Sequence, residues 1–150
     1  MQIIDDKSAG IQIIKGRHAD FMMKNIETIV SDSKNEFTLQ GTVIILDNDD
    51  VVVVVSGGRD HIGAIGLAVP RHSLLDLNTI SATASILTIP GHKDEEPAKY
   101  VSEKVAAATE RNIAVIAGIH YDNLAFTGLE ILRELWVSLT EKIIAFLNRK

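Results

Sequence analysis

Phe37-Thr38-Leu39-Gln40-Gly41-Thr42-Val43-Ile44-Ile45-Leu46, then Asp47-Asn48-Asp49-Asp50, then Val51-Val52-Val53-Val54-Val55 is the stretch from which the fold is read. Two apolar runs rich in β-branched residues flank four polar turn formers. Branched side chains are stiff at χ1 and suit a pleated surface, so the stretch predicts a β-hairpin. The valine run is apolar on both faces, which predicts cover on both sides of its strand.

Toward the C-terminus, Ser56-Gly57-Gly58-Arg59-Asp60 predicts a turn, followed by a strand over 62–69 that Pro70 stops. A further strand is expected over 80–89, with Ser81, Thr83 and Ser85 on one face that is either wet or packed close to something. Asp94 as N-cap, the acidic Glu95 and Glu96, and Pro97 in the first turn open a helix. Its inner face reads Ala98, Val101, Val105 and Ala108, and Arg111-Asn112 ends it. Residues 113–119 read as a buried strand. Thr127 and Glu130 form a capping box for a last helix that runs to about Leu147. Its apolar stripe is Leu132, Leu135, Trp136, Leu139, Ile143, Phe146 and Leu147. Val137 and Ile144 widen that stripe, which points to a homo-oligomer joined through this helix.

Toward the N-terminus the pattern weakens. Ile11-Gln12-Ile13-Ile14 reads as a strand, and Met22, Ile26, Ile29 and Val30 have the spacing of a short helix over 21–30. Ser31-Asp32-Ser33-Lys34-Asn35 reads as a loop. Residues 1–36 are therefore treated as an N-terminal extension of a core over 37–147, within one domain of 1–150. Strands first, then helix, strand and helix, predict an α+β fold. The expected form is a mostly antiparallel sheet of about five to six strands, with two main helices packed on one side.

Bulk properties narrow the function classes. At 46% hydrophobic and 23% charged residues the chain has a globular composition. A net charge of −5 disfavours nucleic acid, whose phosphates need a surplus of Lys and Arg. No apolar run approaches the roughly 20 residues that span a bilayer, and the first residues lack the pattern of a secretory signal. The expected setting is cytoplasmic, away from membranes. The absence of cysteine excludes disulfides, thiolate metal sites and cysteine nucleophiles.

Three polar segments at strand ends carry the candidate chemistry. They are Ser56-Gly57-Gly58-Arg59-Asp60-His61-Ile62-Gly63, Pro90-Gly91-His92-Lys93-Asp94-Glu95, and Ala117-Gly118-Ile119-His120-Tyr121-Asp122-Asn123. If they converge, His61, His92 and His120 offer three neutral imidazoles, a set suited to zinc in a metal-dependent hydrolase or lyase. Against this, their spacing is long, and each histidine also suits a single structural hydrogen bond. Gly57, Gly58 and Gly63 can expose backbone N–H groups to an anion, with Arg59 as a charged clamp; a plain glycine-rich turn reads equally well. A nucleoside-triphosphate loop is excluded, because no Lys-Ser or Lys-Thr pair and no helix follow. His92 and Lys93 sit at a helix start that attracts anions, while Asp94 there is read as a helix cap. His120 and Asp122, two apart at a strand end, form an imidazole–carboxylate pair. His18 and His72 have no assigned role. A ligand-free assembly protein working through its last helix is a further reading.

Taken in order, Gly57-Gly58 with His61-Ile62-Gly63, Gly91-His92-Lys93-Asp94 opening a helix, and Ala117-Gly118-Ile119-His120 ending a strand resemble a known family. That family is the prenylated flavin chaperone LpdD-like family, the small D subunit of gallate and related hydroxyarylic acid decarboxylases. The resemblance spans about 37–146. It implies a non-catalytic accessory protein that helps a large UbiD-type decarboxylase acquire or keep prenylated FMN. On that basis Gly57, Gly58, Arg59, His61, Gly63, His92, Lys93, His120 and Asp122 become candidates for contacting prenylated FMN or FMN, and strand 81–85 for admitting its flat ring.

Overall fold

A computed structural model describes residues 2–6, 11–15 and 26–149. Its strands are β1 (Gln2–Asp6), β2 (Ile11–Lys15), β3 (Ile26–Lys34), β4 (Phe37–Ile45), β5 (Val51–Gly58), β6 (Ala64–His72), β7 (Ile80–Thr88) and β8 (Ile113–His120). Helix α1 (Glu95–Thr109) lies between β7 and β8, and α2 (Phe126–Leu147) follows β8. One sheet has the order β1-β2-β3-β4-β5-β8-β6-β7. Every pair is antiparallel except β5 with β8. The α+β class is as read: β2, β4, β5, β6, β7 and β8 fall on the runs read as strands, while β1 and β3 are strands the sequence reading did not place.

The register explains the core. Val43, Val53, Val115 and Gly66 lie side by side across β4, β5, β8 and β6, and their row faces the helices. Val43, Val53 and Val115 are fully buried. Helix α1 packs on β6, β7 and β8, while α2 packs on β3, β4 and α1. Both helices therefore cover the same face. The opposite face carries the alternate residues, among them Val52, Val54 and Ile116, which are half-buried, and Leu67 and Val69, which are exposed. Cover on both sides of the valine strand is thus corrected to cover on one side, with the period-2 pleat deciding which valines are inside.

Other expectations shift for identifiable reasons. Residues 26–30 are strand rather than helix, because Ile26 to Lys34 pair along the whole of β4; 21–25 and His18 lie outside the described residues. Ser31 to Lys34 continue that strand, and the turn falls at Asn35-Glu36 with Asn35 at φ 55°. Pro70 does not stop β6, which runs to His72. β8 pairs with β6 only as far as Ala68, so Pro70 sits where the strand has one neighbour, the setting proline tolerates. Ser81, Thr83 and Ser85 lie opposite Arg71, Val69 and Leu67 on the uncovered face, Thr83 and Ser85 exposed.

Helix α1 buries Ala98, Val101, Ser102, Val105 and Ala106, whereas Ala108 is exposed. Its stripe is rotated toward Ser102 and Ala106, small residues that suit close contact with the sheet. Helix α2 starts two residues earlier than the capping box implies. Its N-cap is Ala125, and no side chain caps it. Val137 and Ile144 pack against the core, so the extra width of the α2 stripe is used within the fold. The most exposed large apolar side chains lie elsewhere, at Leu74, Leu75 and Leu77 in the β6–β7 connection, Leu87 and Phe126. Among the described residues no helix is long and apolar enough to cross a membrane.

Candidate functional site

The parallel pair β5 and β8 ends with Gly57 beside Ile119 and Gly58 beside His120. Beyond those ends the chain turns sharply, and the three polar segments meet there. The Arg59 backbone N–H donates to the His120 carbonyl (2.9 Å), and the Gly63 N–H donates to that of Ala117 (2.9 Å). The 59–63 segment is thereby laid over the end of β8. Two glycines make this possible. A Cβ on Gly118 would lie 1.8 Å from the His61 carbonyl oxygen, and one on Gly63 would lie 1.9 Å from Asp94 Oδ2. Backbone and carboxylate occupy the space a side chain would need. Tyr121 braces the end of β8 by donating to the Thr38 carbonyl (2.7 Å) and accepting the Thr38 N–H (3.0 Å). It also meets the Phe37 ring edge-on at 4.9 Å.

His61, His92 and His120 do converge. The ring centroids of His61 and His92 are 4.7 Å apart, and those of His61 and His120 are 6.1 Å apart. With Arg59 and Asp60 they line an open hollow of about 310 Å³. His61 Nδ1 lies 3.1 Å from the Arg59 carbonyl, and its Nε2 lies 3.2 Å from Asp94 Oδ2. His92 Nδ1 lies 3.8 Å from the same oxygen. At the rim, Arg59 pairs with Asp122, while His120 Nε2 lies 3.2 Å from both Asp122 Oδ1 and Arg59 Nη2. The hydrogen bond from His120, followed by the charge of Arg59, holds the exposed Asp122 carboxyl below the usual aspartate range.

Asp94 is the residue whose role the sequence misassigns. It occupies the N-cap position but makes no side-chain cap. Instead the side chain turns inward and is buried, with 5% exposed. Its Oδ1 accepts the Ile119 N–H at 2.8 Å, and its Oδ2 faces the two histidines. A buried carboxylate costs several kcal/mol unless it is hydrogen-bonded and faces positive or polar groups, as this one does. The local sequence Gly91-His92-Lys93-Asp94 contains the signal, but the cap rule competes for the same aspartate.

Next to the hollow lies a second concavity that sequence reasoning did not find. It holds about 370 Å³ between the N-terminal ends of α1 and α2. Leu124, Phe126, Leu129 and Trp136 give it apolar walls, and Lys93 and Asp94 stand on its side toward the histidines. Arg133 borders it in a two-pronged pair with Glu96, at 3.0 Å for each contact. Phe126 is 71% exposed, a large apolar surface left uncovered at the lip of a groove. Lys93 thus belongs to the groove rather than to the hollow. Strand 81–85 borders neither concavity.

Residues 33–148 match a family model described as the prenylated flavin chaperone LpdD-like domain. No curated protein matches the chain.

Proposed function

The chain belongs to the prenylated flavin chaperone LpdD-like family, and from that premise we propose that it holds prenylated FMN, or FMN itself, and hands it to a UbiD-type decarboxylase without catalysing the decarboxylation. The observation that carries this reading is the junction of two unlike concavities. A flavin mononucleotide joins a flat, largely apolar ring system to a phosphate. The groove of Leu124, Phe126, Leu129 and Trp136 suits the ring, and its volume of about 370 Å³ reaches the range of small-molecule sites. Lys93, which makes no ion pair among the described residues, and Arg59 suit the phosphate as charged donors. His61, His92 and His120 add hydrogen-bonding groups toward a polar edge of the ligand.

The site also suits transient holding. Both concavities are open, and Phe126 reaches solvent. An accessory protein has to release what it binds, and an open site with few buried donors permits that. A decarboxylase partner would meet the exposed ligand from the groove side.

Titration with FMN and with prenylated FMN, followed by flavin fluorescence and absorbance, tests the reading. Saturable binding is expected, weakened about tenfold by Lys93→Ala, the loss of one charge-assisted contact. Phe126→Ala is expected to weaken it by a similar factor through lost ring contact. Absence of binding to either ligand at millimolar concentration contradicts it.

A further inference from the structure

We infer that His61, His92 and Asp94 form a binding site for one divalent transition-metal ion. Their ligand atoms all lie within 4.8 Å of one another. Two ligands each about 2.1 Å from a shared ion stand roughly 3.0–3.4 Å apart at octahedral to tetrahedral angles. Asp94 Oδ2 is 3.2 Å from His61 Nε2 and 3.8 Å from His92 Nδ1, so the Asp94–His61 edge already has the required length and closure falls to a movement of the half-exposed His92. Two imidazoles with one carboxylate are a donor set for zinc, iron(II), cobalt(II) or manganese(II).

Hydrogen-bond logic points the same way. The Arg59 carbonyl can only accept, so the 3.1 Å contact places a proton on His61 Nδ1. In the neutral ring, Nε2 then turns a lone pair toward a carboxylate oxygen, acceptor against acceptor. A cation between them resolves the conflict. A proton on either His61 Nε2 or Asp94 Oδ2 also resolves it, but leaves His92 Nδ1 at 3.8 Å, outside hydrogen-bond reach of that oxygen. A metal ion engages all three groups at once. The outer contacts are those a metal site requires: the carbonyl orients His61, and the Ile119 N–H holds the other oxygen of Asp94 at 2.8 Å. The ion would face the open hollow, leaving coordination positions for a water or a phosphate oxygen. The set differs from three histidines, because Asp94 takes the place that the sequence suggests for His120.

This inference does not depend on the flavin reading, and its test uses the metal alone. Tag-free full chain is titrated with cobalt(II), read by its visible absorption bands, and with zinc(II) by calorimetry. One ion per chain is expected. His92→Ala and Asp94→Asn should each weaken binding at least tenfold, while His72→Ala, on the far end of β6, changes it less than twofold. Asp94→Asn keeps an oxygen for the Ile119 N–H, and His92 lies at the surface, so circular dichroism should report folded variants. Lack of saturable one-to-one binding overturns the inference. So does binding that survives both substitutions, or that His72→Ala abolishes.

Discussion

At the scale of single residues, Asp94 ties the site to the fold. It joins the start of α1 to the end of strand β8 through the Ile119 N–H. Asp94→Ala removes that acceptor and leaves a buried donor unpaired, which should cost about 1–3 kcal/mol in urea unfolding. Asp94→Asn should cost clearly less, because its amide oxygen can still accept. Gly63→Ala acts on the same carboxylate from the other side, since the new methyl group would lie 1.9 Å from Oδ2. It should destabilise by about 1–3 kcal/mol and weaken ligand binding together, as the carboxylate is displaced. Asp122 gives a pH-dependent prediction. Its folded value is lowered by the His120 hydrogen bond and then by Arg59. The stability it supplies is therefore complete above the ordinary aspartate value of about 3.9 and lost as pH falls through the lower folded value. A carboxyl NMR titration of His120→Ala should show the Asp122 midpoint moving up; an unchanged midpoint would remove the assigned cause.

At the scale of elements, the two faces of β5 offer a direct comparison. Val53 is fully buried under the helices, whereas Val54 is half-buried on the uncovered face. Val53→Ala should cost about 2 kcal/mol and Val54→Ala less than half of that, measured by chemical denaturation. The helices and most strands were legible from composition and period: β4, β5, β7, β8 and both helices lie within a few residues of their expected places. The residues that misled did so for physical reasons. Met22, Ile26, Ile29 and Val30 have helical spacing, but a nine-residue partner in β4 outweighs local periodicity. Thr127 and Glu130 satisfy the capping-box pattern, yet the helix begins at Phe126, ahead of them. Arg133 and Glu96 link α1 to α2 as a half-exposed pair, so Arg133→Ala should change stability by no more than about 1 kcal/mol while altering the groove wall.

At the scale of the whole molecule, the sheet order brings the site together. Parallel β5 and β8 are joined through β6, β7 and α1, so the C-terminal ends of both strands and the start of α1 arrive at the same end of the sheet, between its central strands. The places of the glycine–histidine segments at the ends of clear elements were legible; that they meet follows from the sheet order. The inward turn of Asp94 and the groove beside it were not, because both depend on how the ends of α1 and α2 approach each other, which no local pattern encodes. The uncovered sheet face, with Leu67, Val69 and Leu87, is likewise a property of the assembled layers. A crystal structure of the chain with prenylated FMN tests the central claim most directly. The account predicts the ring against Phe126, Leu129 and Trp136, with the phosphate within reach of Lys93 or Arg59. A ligand seated on the open sheet face, away from both concavities, would contradict it.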